Sequence, residues 1–434
     1  MALEKNTEYD ISITGTSSDG RGVGHIGGMT VFVSGAVEGD TGRVLITRVK
    51  KRFAEGSLTE ITAPSPHRIA PECPHFGICG GCQTANTEYP FELEAKANAA
   101  VQAMRRIGGF TDFTFDKING GRSSRYRNKA VYKIDCTKEP VCGFYSEKSH
   151  DIVPVGDCLL CDPRDSLIKT AVMKYISESG FGGIKQLFIR RGAKTDQTMA
   201  ALDVSKRPPR TERLAQLIAS ADKSVSSVIL NFPDGGSETL FGRDFIEDEL
   251  LGIRFRISCR SFFQVNHEMT ERLYSQVLEY ASLTGSERVL DIYCGIGTIS
   301  LCAAKAAKHV TRVEIVPEAV ENARENAQIN NIDNAVFYAE SAETIVPKLI
   351  KAGEHPDAVI LDPPRKGSDT ATLAAILYAA PKRIVYVSCG PATLARDAKI
   401  LAAGGYSISA AQAFDMFPRT AHVETVVLMS RVKD

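Results

Sequence analysis

The last third of the chain constrains the fold more than any other stretch. Five short apolar runs, at 288–293, 309–316, 335–339, 357–362 and 383–389, alternate with segments whose apolar residues recur at helical spacing. A strand that is apolar throughout has to be covered on both faces, and the intervening helices supply that cover. The pattern therefore predicts a parallel, doubly wound α/β sheet. Two further strand-like runs, 406–414 and 422–431, follow with no helical pattern between them. They are expected to close a seven-stranded, Rossmann-like sheet with an antiparallel hairpin at its edge.

Upstream the signals differ. Runs at 8–13, 29–33, 42–50 and 53–61 read as short strands, separated by turn-rich stretches such as Ser17-Ser-Asp-Gly-Arg-Gly and Glu38-Gly-Asp-Thr-Gly. These predict a small OB-like β-barrel over residues 1–65. Pro64, Pro66 and Pro71 read as a linker. From there to 260 a helix-like run over 90–107 sits among alternating segments such as 130–135 and 186–190, which predicts an α+β central domain over 66–260. The catalytic unit then spans 261–434, and the helix near 90–108 is expected to pack on it.

Composition agrees with a multidomain globular chain: 434 residues, 43% apolar and 24% charged. No stretch nears the roughly 18–20 apolar residues of a membrane span. The opening Met1-Ala-Leu-Glu-Lys-Asn lacks an apolar core of the signal-peptide kind, so a cytoplasmic location is expected. With 52 basic and 52 acidic side chains, a polyanionic partner has to be argued from where the charges lie.

The turn after the first strand of the sheet is Asp291-Ile-Tyr-Cys-Gly-Ile-Gly-Thr298. Its glycines let the backbone approach a ligand at the carboxyl end of the strand. Position 300 is Ser, where a dinucleotide fingerprint has a third glycine. Glu314, at the end of the second strand, stands where an acid accepts ribose hydroxyls. Together with a sheet closing in a hairpin, these features point to S-adenosylmethionine. Asp362-Pro-Pro-Arg-Lys-Gly367 follows the fourth strand, and two prolines make it a stiff rim loop. Amino-methyltransferases have a similar Asp-Pro-Pro followed by an aromatic residue; here that place is Arg365. Cys389 ends the fifth strand, placed as a nucleophile would be, and Glu424 opens the last, placed as a base would be.

The run Asp362-Pro-Pro-Arg-Lys-Gly, then Val-Ser-Cys389, then Phe417-Pro-Arg-Thr-Ala-His-Val-Glu424, with Ser261-Phe-Phe-Gln-Val-Asn266 upstream, resembles the RNA uridine-5-methyltransferases. The resemblance extends over nearly the whole chain. It is closest to the branch with an N-terminal TRAM domain and an iron–sulfur cluster that methylates 23S ribosomal RNA. It implies that Cys389 adds to uracil C6 and that Glu424 removes the C5 proton. It also implies that Gln264, Tyr293, Thr298, Glu314, Ser341 and Asp362 line the S-adenosylmethionine site, and that Phe263 stacks on the base. One departure is Gly390, where the family usually carries Asn after the nucleophile.

Eleven cysteines are many for a chain with no apolar export signal, and an odd count at uneven spacing does not suit a disulfide framework; Cys136, Cys142, Cys259, Cys294 and Cys302 read most simply as core or turn residues. Cys73, Cys79 and Cys82 form C-x5-C-x2-C, unlike the spacing of radical enzymes that cleave S-adenosylmethionine. Spacing alone leaves structural zinc and an iron–sulfur cluster equally open. The resemblance favours a [4Fe-4S] cluster with Cys158 as fourth ligand and Cys161 as its rival. Two acid-free basic runs, Arg43, Arg48, Lys50, Lys51, Arg52 and then Arg122, Arg125, Arg127, Lys129, Lys133, the second interleaved with Tyr126 and Tyr132, suggest RNA binding by phosphate neutralisation and stacking. The expected protein is a monomeric RNA-binding enzyme acting on 23S ribosomal RNA. Its rivals are a transfer-RNA or dual-site ribosomal enzyme, and a non-catalytic RNA-binding or redox-sensing protein, against which Cys389 and Glu424 both argue.

Overall fold

The computed structural model describes residues 3–432; Met1, Ala2, Lys433 and Asp434, which the expected ranges 1–65 and 261–434 include, lie outside the described residues. Strands Glu8–Thr16, Gly22–Ile26, Met29–Ser34, Thr41–Val49 and Phe53–Ala63 close into a barrel around Ile11, Ile13, Val31, Val33, Val44 and Ile46. The second strand, Gly22–Ile26, is not among the strands read from the sequence. Its glycines answer to the tightness of the wall. A Cβ at Gly24 would lie 2.6 Å from the Ser12 carbonyl oxygen, and one at Gly22 2.7 Å from the Ala36 Cβ.

The central sheet has seven strands in the order Ser237–Gly242, Val225–Asn231, Thr198–Val204, Ile184–Arg191, Lys129–Asp135, Val141–Tyr145, Ile152–Pro154. Helices Asp165–Ser179 and Thr211–Ala221 bury Ile168, Val172, Leu214 and Ile218 against its Leu187, Ile189, Leu202 and Leu230.

The C-terminal sheet has eight strands rather than seven: Ala335–Ala339, His309–Glu314, Arg288–Ile292, Ala358–Leu361, Arg383–Ser388, Glu424–Arg431, Tyr406–Phe414 and Lys117–Asn119. The closing hairpin is not at the edge. Glu424–Arg431 inserts antiparallel between Arg383–Ser388 and Tyr406–Phe414, and Lys117–Asn119 pairs parallel to the latter as the outermost strand. Covering that edge with a three-residue strand shields it from pairing with another chain. The helix Tyr89–Ala103, prolonged by a π-turn over Met104–Gly108, packs on the helix Pro391–Ala403. The hairpin Phe245–Leu250 and Ile253–Ser258 shares the core of the C-terminal sheet, where Ile246, Leu250 and Phe255 meet Leu273, Val277 and Val289. Among the described residues no helix is long and apolar enough to cross a membrane.

Candidate active site

Parallel strands in one sheet end on one edge, so residues 293, 314, 341, 362 and 389, each at or just past a strand's carboxyl end, share a rim. The turn after Arg288–Ile292 is held in left-handed backbone at Tyr293 (φ 71°), Gly295 (54°) and Gly297 (85°). At Gly297 a Cβ would also approach Arg312 Nη1 to 3.1 Å, so the glycine is needed for space as well as conformation. Glu314 folds back onto this turn: its carboxylate accepts the Gly295 and Val316 N–H groups, both at 3.0 Å. The Tyr293 hydroxyl pairs with Ser368 Oγ at 3.1 Å, and Thr298 Oγ1 with the Tyr274 hydroxyl at 2.8 Å. Ser341 opens the helix Ala342–Lys351 with its hydroxyl donating to Thr344 Oγ1 at 2.9 Å. Gln264 is fixed through its carbonyl, which accepts Asn128 Nδ2 at 3.0 Å. Phe263 departs from the expected stacking role. It is 3% exposed, turned into the core beside Phe255, while Phe262 is 66% exposed, because neighbours along an extended segment point opposite ways.

Glu424–Arg431 runs antiparallel, so its first residue reaches the rim where the parallel strands end. The register pairs Ser388 with Thr425. Continued by one rung, it sets Cys389 opposite Glu424 with both side chains on one face. The two groups and Asp362 act on one another. Burial, then Glu424 and Asp362, push the Cys389 thiol up to about 11, against the opposing pull of Arg365. Burial, then the Asp362 charge, hold Glu424 well above the usual carboxylate range, again opposed by Arg365. Asp362 is pushed up to about 7 by burial and then by Asp291. Arg365 Nη2 lies 3.2 Å from His422 Nε2. Burial, then Arg365, lower the proton affinity of that ring.

The Asp362-Pro-Pro loop is stiffened by more than its prolines. The buried Asp397 accepts the Ser368 N–H at 2.8 Å and the Tyr386 hydroxyl at 2.6 Å. Arg396 Nη2 donates to the Lys366 and Ser368 carbonyls at 3.0 and 3.1 Å. Thr393 Oγ1 donates to the carbonyls of Arg365 (3.1 Å) and Gly390 (2.9 Å). These anchors lie about one helix away in sequence and no spacing rule announces them.

A second site lies beside this one. Cys73, Cys79, Cys82, Cys158 and Cys161 line one cavity of about 440 Å³, with Arg127, Lys129 and Arg419 among its other walls. Burial, then Cys158, Cys79 and Cys73 in that order, push the Cys82 thiol up to about 12. Cys161, 2% exposed, belongs to the central core, and its thiol donates to Cys158, which holds the Cys158 thiol low. Among the described residues no three His, Cys, Asp or Glu side chains stand close enough together to hold a metal ion.

The two basic runs fare differently. Arg43 and Arg48 pair with Glu8 and Glu55, at 2.9 and 3.9 Å, while Lys50, Lys51 and Arg52 are exposed at the turn before Phe53–Ala63. Much of the second run serves the protein itself. Arg125 makes a two-armed pair with Asp157 at 2.6 Å per arm, and Lys133 is bonded to Gln186. Tyr126 and Tyr132 are 8% and 1% exposed and present no ring to a base: Tyr132 belongs to the core of the central domain, and the Tyr126 hydroxyl donates to the Pro418 carbonyl at 3.0 Å.

Comparison with known proteins gives these features a common source. Residues 234–432 match the tRNA (Uracil-5-)-methyltransferase family and residues 2–59 the TRAM domain. Uncharacterized RNA methyltransferases of Bacillus cereus and Clostridium acetobutylicum are each 41% identical to the chain, over 99% and 100% of it and 98% and 99% of their own lengths. The chain belongs to the TRAM-domain RNA uracil-5-methyltransferases. A solved structure of a family member, the Pyrococcus abyssi tRNA (uracil-54, C5)-methyltransferase in complex with S-adenosyl-L-homocysteine, is similar over 97% of this chain and 100% of its own. Its TM-score is 0.77 at 26% identity. The chain is thus an S-adenosylmethionine-dependent RNA methyltransferase.

Proposed function

We propose that the enzyme methylates C5 of one uridine in 23S ribosomal RNA, with Cys389 as nucleophile and Glu424 as base. The observation that carries this reading is the register that sets Cys389 opposite Glu424 at the sheet rim, with Asp362 and Arg365 acting on both. Uracil C5 is a weak carbon nucleophile. Addition of the Cys389 sulfur at C6 makes an enolate, and its C5 attacks the methyl group that S-adenosylmethionine supplies. Glu424 then takes the C5 proton, and the sulfur leaves. Arg365 favours the thiolate. The burial that raises the proton affinity of Glu424 makes it a stronger base toward a carbon-bound proton.

Gln264, Tyr293, Thr298, Glu314, Ser341 and Asp362 hold the methyl donor. Support comes from the common rim and from the Glu314 carboxylate drawn onto the Gly295 turn. Cys73, Cys79, Cys82 and Cys158 would hold a [4Fe-4S] cluster, for which four cysteines lining one cavity are a fitting donor set. Cys158 is preferred to Cys161 because it, and not Cys161, is among the neighbours that push up Cys79 and Cys82. RNA is gripped by the barrel turn at Lys50, Lys51 and Arg52. We further propose that the enzyme acts as a monomer in the cytoplasm.

The test is trapping. Cys389→Ala binds RNA and transfers no methyl group. Glu424→Gln accumulates a methylated protein–RNA adduct that survives denaturing electrophoresis and disappears in the double variant. Full turnover by Glu424→Gln with no adduct rejects the assignment of the base. A transfer-RNA target is the second reading, favoured by the substrate in the name of the Pyrococcus relative. Mapping 5-methyluridine in ribosomal and transfer RNA from a deletion strain separates the two.

A further inference from the structure

Phe414 and Glu424 are paired across the closing hairpin, so the loop 415–423 between them is what carries Glu424 into the rim. Its midpoint, Arg419, has a left-handed backbone, φ 67°. A side chain other than glycine holds that conformation under strain, and the strain persists where the surroundings over-determine it. Here they do. The Arg419 carbonyl accepts the N–H groups of Gln83 (2.9 Å) and Thr84 (3.3 Å), the two residues that follow Cys82. Its guanidinium donates to the Thr87 carbonyl at 2.9 Å and to Glu92 Oε2 at 3.3 Å. Its own N–H reaches Glu92 Oε1 at 2.7 Å. Arg419 also forms part of the wall of the cysteine cavity.

The rest of the loop is tied down alongside. Lys96, buried on the helix Tyr89–Ala103, donates to Glu92 at 2.7 Å, to Asp415 at 2.8 Å and to the Phe417 carbonyl at 3.2 Å. The Tyr126 hydroxyl donates to the Pro418 carbonyl at 3.0 Å. The barrel turn closes the junction: a Cβ on Gly20 would stand 2.9 Å from the Gln83 Cβ and 3.2 Å from that of Ala421. A surface arginine ordinarily extends into water. This one is spent on joining the cysteine loop to the loop that ends in Glu424.

We propose that Arg419 is a positioning residue for Glu424. It ties loop 415–423 to the cysteine loop 73–84, so that filling of the cysteine cavity fixes where the Glu424 carboxylate stands. The inference rests on the reading of Glu424 as the base. It separates two steps of the reaction: removal of the C5 proton depends directly on where loop 415–423 sets Glu424, whereas addition of Cys389 feels the loop only through the His422–Arg365 contact.

The test uses the full-length, cluster-loaded enzyme and Arg419→Ala, with Glu92→Gln as a second variant that keeps the chain's backbone and shortens no side chain. Arg419→Ala should retain iron and sulfide and keep its KM for RNA within about twofold. Its kcat should fall on the order of 10²-fold, as a displacement of about 1 Å entails. Methylated protein–RNA adduct should accumulate, which a general loss of stability would not produce. Amide hydrogen exchange across 416–424 should speed up ~10-fold or more, and Glu92→Gln should move in the same direction. Wild-type protein stripped of iron by chelation should show the same faster exchange. Normal turnover by both variants, or unchanged exchange across 416–424 in the variants or after iron removal, overturns the inference. So does a fall in kcat with no adduct while Glu424→Gln does trap one. If neither Arg419→Ala nor Glu424→Gln traps adduct, the base assignment itself fails, and the inference with it.

Discussion

Arg365 Nη2 and His422 Nε2 meet at 3.2 Å across the gap between the Asp362-Pro-Pro loop and the closing hairpin. The contact joins the two loops that flank Cys389, and it places a positive charge beside a thiol and a carboxyl whose proton affinities burial raises.

That charge gives a pH prediction. The Cys389 thiol, at about 11, is raised by burial, Glu424 and Asp362 and lowered by Arg365. Removing Arg365 raises it further, so less thiolate forms at any given pH. Arg365→Ala should lose about tenfold in kcat/KM near neutral pH, with the rising limb of the pH–rate profile moved to higher pH. Arg365→Lys should keep the wild-type limb. An alanine variant whose profile merely scales down, without moving, would mean that Arg365 acts on RNA rather than on the thiol.

Asp362 gives a prediction of opposite sign for stability. Its carboxyl titrates near 7 in the folded protein, against an ordinary value of 3.8. The folded state therefore binds the proton more tightly, and the stability this group contributes at low pH is lost as pH rises through that interval. Asp362→Asn should be more stable than wild type at pH 8 by on the order of 2 kcal/mol, discounted for the partly open rim, and equal to it near pH 4. Methyl transfer should fall sharply. Urea unfolding at the two pH values checks the difference.

What the sequence showed, and what it hid, follows from range. Continuous apolar runs announce buried parallel strands, so the parallel sheet and the positions of Glu314, Asp362 and Cys389 at its strand ends were legible from local pattern, but the strand order was not. The eighth strand was not: Lys117–Asn119 has three residues and no period to detect. Nor was the clamp on loop 415–423, because Lys96 and Asp415 meet across 319 residues. The second basic run reads differently in the structure: in Lys129–Asp135 the residues Ala130, Tyr132 and Ile134 face the core, and Lys129 and Lys133 lie on the strand's other face.

The exposed basic turn of the barrel offers a cleaner test of RNA contact. Lys50, Lys51 and Arg52 have no acid among them and lie clear of the core. Replacing all three by Ala should weaken RNA binding and reduce the slope of log affinity against log salt by about 2, as loss of three phosphate contacts on a single strand would. Thermal stability should stay unchanged. An unaltered slope in a salt titration would place the RNA elsewhere.

The last prediction concerns Gly390, where the family usually has Asn. Its backbone is extended, φ −133°, so conformation does not require glycine there; space does. A Cβ would lie 2.8 Å from Thr393 Oγ1 and 3.3 Å from the Arg365 carbonyl oxygen. The same Thr393 hydroxyl joins the Gly390 and Arg365 carbonyls, and so holds the Asp362-Pro-Pro loop to the helix after Cys389. Glycine and threonine thus form a matched pair in this chain. Gly390→Asn alone should cost about 1–3 kcal/mol through overcrowding, and should slow methyl transfer by displacing Arg365. Thr393→Ala alone should cost about 1 kcal/mol for the lost hydroxyl bonds. In the double variant the crowding disappears with the hydroxyl, so the damage should be smaller than the sum of the two single changes. A double-mutant cycle in urea denaturation and in kcat measures this directly; strict additivity would show that Gly390 and Thr393 are independent.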